Sequence, residues 1–319
     1  MNYIGIDIGG TNVKMALIDP QGVIINQSSI KTYGARRPEE VVADIVAEIA
    51  RLSSGYEYTA IGVGCPGAVD SRRGIVEYSP NLQWRNVALE KLLNEATGKY
   101  VRIANDASVA ALGETMFGVG KDYTDTAMIT LGTGVGAGIV VDGELFEGYN
   151  SMGTEIGHTV IKVGGVQCSC GRKGCFEAYA SATALMRETR DALQKDKNKE
   201  SMLWDYFGFD KTKDSYDASK IHGAGPFACA KKGDKIAKKV TDTYIKNLAE
   251  GVINVVNIFR SQAVILGGGV CGEPTLAPRV QEYVDKYRYG GKDSLPSVVL
   301  IATLGNDAGV IGAASLVMP

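Results

Sequence analysis

Cys168, Cys170 and Cys175 fall within eight residues, and His158, one of the chain's two histidines, lies ten residues ahead of them. Three thiolates and an imidazole form a complete tetrahedral donor set for zinc. Cys168-x-Cys170 is tighter than the usual gap of about two to four residues. Gly171 and Gly174 let the backbone turn so that Cys175 can return to the metal. The plainer alternative is three reduced thiols that merely cluster. Glu155 and Glu177 bracket the stretch. A four-ligand ion leaves no position for them, so they are free to face something else.

Three glycine turns offer a second chemistry: Gly9-Gly10-Thr11-Asn12, Gly132-Thr133-Gly134 and Gly267-Gly268-Gly269. Backbone amides at such turns approach phosphate closely because no Cβ intervenes. The Gly-Lys-Ser/Thr of a P-loop is absent. Gly132-x-Gly134-x-x-Ala137 matches a dinucleotide fingerprint in form, but it runs into a strand-like segment where the motif requires a helix. Each turn alone is also consistent with a tight hairpin.

Acids stand near these turns. Asp7 ends the first strand, where it would either orient a hydrated Mg²⁺ on a nucleotide or cap the turn. Lys14 is either a neutraliser of phosphate charge or a solvated strand residue. Asn105-Asp106 lies where a strand hands over to a helix. Asp106 there is either a helix N-cap or a general base within reach of an attacking hydroxyl. His222 has no ligating neighbours in sequence and is read as structural or exposed. Cys65, Cys229 and Cys271 sit in apolar or glycine-rich surroundings and are expected to be small buried residues.

The elements that must position these residues follow from periodicity. Tyr3–Asp7, Val13–Asp19 and Val23–Ile30 form a meander. Helices are expected over Glu39–Leu52, Val87–Thr97, Ala107–Phe117, Ala180–Lys195, Asp234–Asn257, Thr275–Tyr287 and Ala308–Leu316. Further strands are expected over Ala60–Val63, Tyr100–Ala104, Ala127–Leu131, Ile139–Asp142, Ala263–Leu266 and Ser297–Thr303, with Asn81–Trp84 a loop. From Thr126 the opening layout restarts as strand, Gly/Thr turn, strand, turn, which is a weak internal repeat. Asp196–Ser219 is a polar segment with scattered aromatics, read as an irregular helical insertion. Strands alternating with helices after a meander indicate an α/β chain of two lobes.

Composition excludes other classes. The 319 residues are 45% hydrophobic and 22% charged, which is ordinary for a globular enzyme. A net charge of -2 gives no footprint for nucleic acid or an anionic membrane. No apolar run approaches a membrane span of about 20 residues, and no export signal is visible. Six cysteines in this length are not a disulfide framework. A reduced, cytoplasmic setting is expected.

Together these residues resemble the ROK family of sugar kinases and repressors, most closely its bacterial glucokinases. The resemblance rests on Asp7-Ile-Gly-Gly-Thr11, Gly64-Cys-Pro-Gly67, Asn105-Asp106, Leu131-Gly-Thr-Gly134, Glu155-Ile-Gly-His158, Cys168–Glu177 and Leu266-Gly-Gly-Gly269. It runs the full length, and Glu155–Glu177 is its most specific part.

The resemblance implies a two-lobed actin-like ATPase (ribonuclease H-like) sugar kinase fold with a cleft and a zinc-binding loop. The small lobe would comprise residues 1–118 plus 305–319, and the large lobe 119–304. It implies ATP contacts at Asp7, Gly9, Gly10, Thr11, Asn12, Lys14, Gly132, Thr133, Gly134, Gly267, Gly268 and Gly269. Sugar contacts would come from Gly67, Asn81, Asn105, Asp106, Glu155, His158 and Glu177, with Asp106 as the general base. His158, Cys168, Cys170 and Cys175 match structural zinc ligands, and Mg²⁺ would accompany ATP. Phosphoryl transfer to the 6-hydroxyl of glucose is the expected activity, in a homodimer or homotetramer. N-acetylglucosamine, N-acetylmannosamine and fructose are alternative substrates, which one or two pocket side chains would decide. A sugar-responsive repressor of the same family would carry a DNA-binding helix-turn-helix ahead of the first strand, which here starts at about Tyr3. A zinc-ribbon binding module would want more basic and aromatic neighbours than Arg172 and Lys173.

Overall fold

A computed structural model of the chain describes residues 1–32, 36–213 and 215–319. Asp214, within the expected insertion, lies outside the described residues. In chain order the strands are β1 (Asn2–Ile8), β2 (Asn12–Ile18), β3 (Ile24–Lys31), β4 (Tyr58–Cys65), β5 (Ala68–Asp70), β6 (Ile75–Ser79), β7 (Trp84–Val87), β8 (Tyr100–Asn105), β9 (Thr126–Leu131), β10 (Val135–Val141), β11 (Glu144–Leu145), β12 (Ala263–Gly267) and β13 (Val298–Ile301). The helices are α1 (Pro38–Leu52), α2 (Leu89–Thr97), α3 (Asp106–Met116), α4 (Glu177–Ala180), α5 (Ala182–Lys195), α6 (Met202–Tyr206), α7 (Ala224–Lys231), α8 (Lys235–Phe259), α9 (Leu276–Tyr287) and α10 (Ala308–Ser315).

Two five-stranded sheets share one plan. The first runs β3-β2-β1-β4-β8 and the second β11-β10-β9-β12-β13. The repeat of layout seen in the sequence is thus a repeat of strand order. In the first sheet β1 pairs antiparallel with β2, bringing Asp7 opposite Lys14, and parallel with β4. β4 continues parallel into β8. The chain divides into two compact units, residues 1–128, 137–154 and 302–319 in one, and 129–136 and 155–301 in the other.

In the first unit, one sheet face packs on α1 and α2 through Ile4, Ile6, Val13, Met15, Ile45, Ile49, Ile61 and Leu93. The other face receives α10. Gly5 and Gly62 of the sheet and Gly312 of the helix lie so close to opposing backbone that an added methyl would overlap the carbonyls of Val310, Ala313 and Val109 respectively. On Gly113 of α3 a methyl would lie 2.7 Å from the Ala308 carbonyl oxygen. Backbone therefore packs on backbone, with no side chain to yield. Glu114, fully buried, accepts hydrogen bonds from the Leu304 amide at 2.7 Å, the Val119 amide at 3.1 Å and the Thr303 hydroxyl at 3.3 Å. It thereby fastens the end of α3 to the segment leading into α10.

Several elements differ from expectation. Residues 68–87 hold a small antiparallel sheet, β5-β6-β7, where a loop and a helix start were expected. The helix expected from Ala180 is broken at Ser181, whose hydroxyl caps α5 by accepting from the Ala184 amide. The polar insertion has a core of its own. Trp204, Phe207 and Phe209 are buried with Leu193, Ile221 and Cys229, and Tyr216 packs edge-on against Trp204. Among the described residues, no helix is long and apolar enough to cross a membrane.

Gly62→Val is expected to lower the free energy of unfolding by about 3 kcal/mol or more, because neither backbone can give way. Gly272→Ala, whose methyl meets open space, should change it by less than about 0.5 kcal/mol. Urea titration of both variants measures the difference.

Candidate functional site

The first unit assembles its candidate residues around the ends of β1, β4 and β8. The turn Gly9-Gly10-Thr11 joins β1 to β2, closed by the Gly9 amide donating to the Asn12 carbonyl at 2.8 Å. Its carbonyls are tied back by Thr32, which is almost wholly buried. The Thr32 hydroxyl donates to the Gly9 carbonyl at 2.6 Å and its amide to that of Thr11 at 3.0 Å. A carbonyl repels phosphate, so binding these two inward suits the turn to an anion. Asn81 lies beside Gly10, where an added methyl would meet its Cβ at 3.3 Å. Lys14 donates to the Asn306 carbonyl at 3.1 Å.

Asn105, rather than Asp106, caps α3. Asn105 keeps extended backbone, and its side-chain oxygen accepts from the amides of Ala107 at 2.9 Å and Ser108 at 3.3 Å. Its side-chain amide donates to the Gly67 carbonyl at 3.0 Å. Gly67 has a φ of +106°, and a side chain there would overlap the Tyr78 carbonyl. With the capping done by its neighbour, Asp106 accepts from the Ala107 amide through Oδ1 at 2.9 Å. Burial raises the Asp106 pKa, against the lowering by amide hydrogen bonds and Asn105. The two acids sense each other. Burial and then the Asp106 charge push Asp7 up to about 6, with Lys14 pulling it down. Cys65 is fully buried beside both acids, which add to burial in holding its thiol protonated.

The second unit carries the rest. The turn Gly132-Thr133-Gly134 has all three carbonyls engaged. The Ala182 amide donates to Gly132 at 2.9 Å, the Thr183 hydroxyl to Thr133 at 2.8 Å, and the Gly132 amide to Gly134 at 3.0 Å. Gly268, at φ +99°, rests on the end of β9, where a side chain would overlap the Leu131 carbonyl. The second and third glycine turns are therefore neighbours. A 3₁₀ turn, Gly269–Gly272, follows the third, and α9 starts only after it.

The cysteine loop closes as its spacing suggested. Donor atoms of His158, Cys168, Cys170 and Cys175 all lie within 4.8 Å of one another. Cys168 Sγ is 3.7 Å from His158 Nδ1, and Cys170 Sγ is 3.6 Å from Cys175 Sγ. A tetrahedral zinc with Zn–S of about 2.3 Å separates its sulfurs by roughly 3.8 Å, so the donors fit the ion. Gly171 and Gly174 take φ of +91° and +89° to shape the loop, and a side chain on Gly174 would overlap the Lys162 carbonyl. With Nδ1 on the cluster, His158 has Nε2 left for another partner. Glu155 is exposed just ahead of the 3₁₀ turn Ile156–His158.

Glu177 reaches two ways. Its Oε1 accepts from the Ser169 hydroxyl at 3.0 Å and lies 3.6 Å from Cys168 Sγ. Its Oε2 accepts from the Val135 amide at 3.1 Å and occupies the space a side chain on Gly134 would need. Sequence reasoning missed Thr32, Ser169, Ala182 and Thr183. Only the last two left a trace, in the serine ahead of a helical run. His222 is exposed and packs on Tyr206 and Phe207. Cys65, Cys229 and Cys271 are buried and unpaired.

The model of the ROK family matches residues 3–319. A glucokinase of Thermotoga maritima is 35% identical over 325 aligned residues, covering 99% of this chain and 97% of that one. The crystal structure of a ROK family glucokinase from Streptomyces griseus, in complex with glucose and AMPPNP, matches with a TM-score of 0.78 at 32% identity over 99% of each chain. That of a ROK hexokinase from Thermus thermophilus matches with a TM-score of 0.79 at 29% identity, over 98% of this chain and 97% of that one.

Burial of Asp7 predicts a pH dependence. Its folded pKa of about 6 lies above its ordinary 3.8, so folding favours the protonated acid. Its stabilising contribution is complete below about pH 4 and is lost as pH rises through about 6. Asp7→Asn should therefore raise stability at pH 8 by up to about 3 kcal/mol, with the gain fading towards pH 4. Thermal unfolding across pH checks this; no gain at pH 8 would contradict a desolvated Asp7.

Proposed function

The chain belongs to the ROK family, and we propose that it is an ATP-dependent hexose kinase that moves the γ-phosphate of ATP to the 6-hydroxyl of glucose. Its two five-stranded sheets of matching strand order belong to the α/β two-lobed actin-like ATPase (ribonuclease H-like) fold. The observation that carries the reading is the division of labour at Asn105-Asp106. Asn105 caps the helix, so the half-buried Asp106 carboxylate beside it is spared the capping role on a rigid helix start.

Asp106 is the proposed general base. It takes the proton of the 6-hydroxyl as that oxygen bonds to the γ-phosphorus and the bond to the β–γ bridging oxygen breaks, releasing ADP. Its raised pKa suits a base that must hold a proton during transfer. Gly67, Asn81, Asn105, Glu155, His158 and Glu177 are the proposed partners of the sugar hydroxyls, each of which needs one when water is excluded. Amides of Gly9, Gly10, Thr11, Asn12, Gly132, Thr133 and Gly134 would receive the phosphates, with Gly267, Gly268 and Gly269 against the adenosine. Lys14 contributes to this site through the charge it sets beside Asp7. Asp7 is the residue that would hold a Mg²⁺ through its water, and the ion would supply charge neutralisation on ATP.

Zinc on His158, Cys168, Cys170 and Cys175 is proposed as structural, because the chain supplies all four ligands. It would fix the loop from which His158 and Glu177 reach the sugar. The reading includes a reduced cytoplasmic setting and assembly as a homodimer or homotetramer.

Asp106→Ala is expected to lower kcat by roughly 10²–10⁴-fold while glucose still binds by calorimetry. Near-normal turnover would remove Asp106 from the mechanism. ADP release across a panel of glucose, N-acetylglucosamine, N-acetylmannosamine and fructose should be fastest with glucose, and failure of every hexose to elicit release would refute the kinase. Metal analysis should return about one zinc per chain, for one tetrahedral donor set; full activity without metal would refute the structural zinc.

A further inference from the structure

The geometry points to Ser169 and Glu177 as positioning residues that couple the metal loop to the Gly132–Gly134 phosphate turn, so that metal occupancy sets nucleotide affinity as well as sugar affinity. This rests on the kinase reading and extends it.

The segment after the last cysteine is a clamp on the turn. Cys175 is a proposed ligand. Phe176, next to it, is buried against Gly251 of α8, where an added methyl would overlap its ring. Glu177 then reaches the Val135 amide at 3.1 Å, Ala182 the Gly132 carbonyl at 2.9 Å, and Thr183 the Thr133 carbonyl at 2.8 Å. Three contacts from one short segment thus reach three groups around the turn. Two of them hold carbonyls away from the amides that would meet phosphate. The segment is itself anchored at the end of α4, where the Ala180 carbonyl accepts from the buried Tyr244 hydroxyl at 2.7 Å.

Ser169 completes the link from the other side. It lies between two proposed ligands, Cys168 and Cys170, and donates to Glu177 Oε1 at 3.0 Å. A loop held by the metal holds Ser169, and Ser169 holds one oxygen of a carboxylate whose other oxygen holds Val135. If the loop relaxes, Glu177 loses this support and the Val135 amide loses a fixed partner. Outer partners around a metal site typically change metal affinity or activity by about 10–100-fold when removed.

The test is calorimetric titration of AMPPNP with Mg²⁺, without sugar, on the whole chain with zinc bound and after chelation. Chelation should weaken AMPPNP binding by about tenfold in the wild type and add less than about twofold in Glu177→Gln, which already binds more weakly. Equal weakening of both proteins, or of neither, overturns the coupling. Ser169→Ala, a mild change at an exposed position, should keep the same zinc content as the wild type yet bind AMPPNP about fivefold more weakly, as for one lost hydrogen bond. Ser169→Thr, which keeps the hydroxyl, should restore binding. Unchanged binding in Ser169→Ala also overturns the coupling. A wild type that shows the chelation effect but phosphorylates no hexose would refute the kinase reading and leave the coupling standing.

Discussion

Close approach of α10 to the first sheet is the constraint on which the unit that carries Asp7 and Asp106 depends. Asp7 ends β1 and Asp106 begins α3, and these elements are far apart in sequence. α10 touches both, across glycines at positions 5, 62, 113 and 312. Contacts made by backbone have no rotamers through which to relax, so the relative position of the elements is set by hard contact. Gly309 belongs to the same design, because a side chain there would press on the Asp7 carboxylate. Glu114 fastens the far end of α3 to the segment entering α10. Two acids with raised pKa values cost stability, and a rigid support keeps the chain from moving them into water instead.

The two glycine turns reach one arrangement by different means. In the first unit a single residue at the end of the meander, Thr32, binds two carbonyls with its amide and hydroxyl. In the second, the start of α5 does so with a backbone amide and a hydroxyl from successive residues. The anchor is thus a hydroxyl–amide pair in both. The first draws it from its own sheet, and the second from the segment that follows the cysteines. Matching strand orders in the two sheets make the parallel a property of the architecture as well as of the turns.

What could be read from sequence was whatever lies within a short stretch. Cys168, Cys170 and Cys175 share one loop, and the glycine turns are punctuated by their own residues. The internal repeat was visible because both turns use glycine and threonine between apolar runs. Sequence left Asp106 as either the cap of α3 or a general base, and the cap is its neighbour Asn105. Both types cap well, and only backbone geometry decides which of two adjacent candidates stays extended. Thr32 and Ser169 were invisible because their partners are distant or belong to another turn. The small sheet β5-β6-β7 has strands too short to show a period, with Gly67, Gly74 and Pro80 among them. In the insertion the aromatics were visible as scattered residues, but not that Trp204, Phe207 and Phe209 gather in one core.

The discontinuity of the first unit bears on biosynthesis. Residues 302–319 complete it, whereas residues 155–301 of the second unit are all made earlier. A ribosome therefore finishes the second unit's segments while the first sheet still lacks α10. Until then the face formed by Tyr3, Ala16, Ile18 and Ala60 has no Val310, Ile311 or Ala314 to cover it. Closing it requires contacts of very large sequence separation, which form slowly. The nascent chain must carry an uncovered apolar surface through most of translation, and this interval is where aggregation or chaperone capture acts on it.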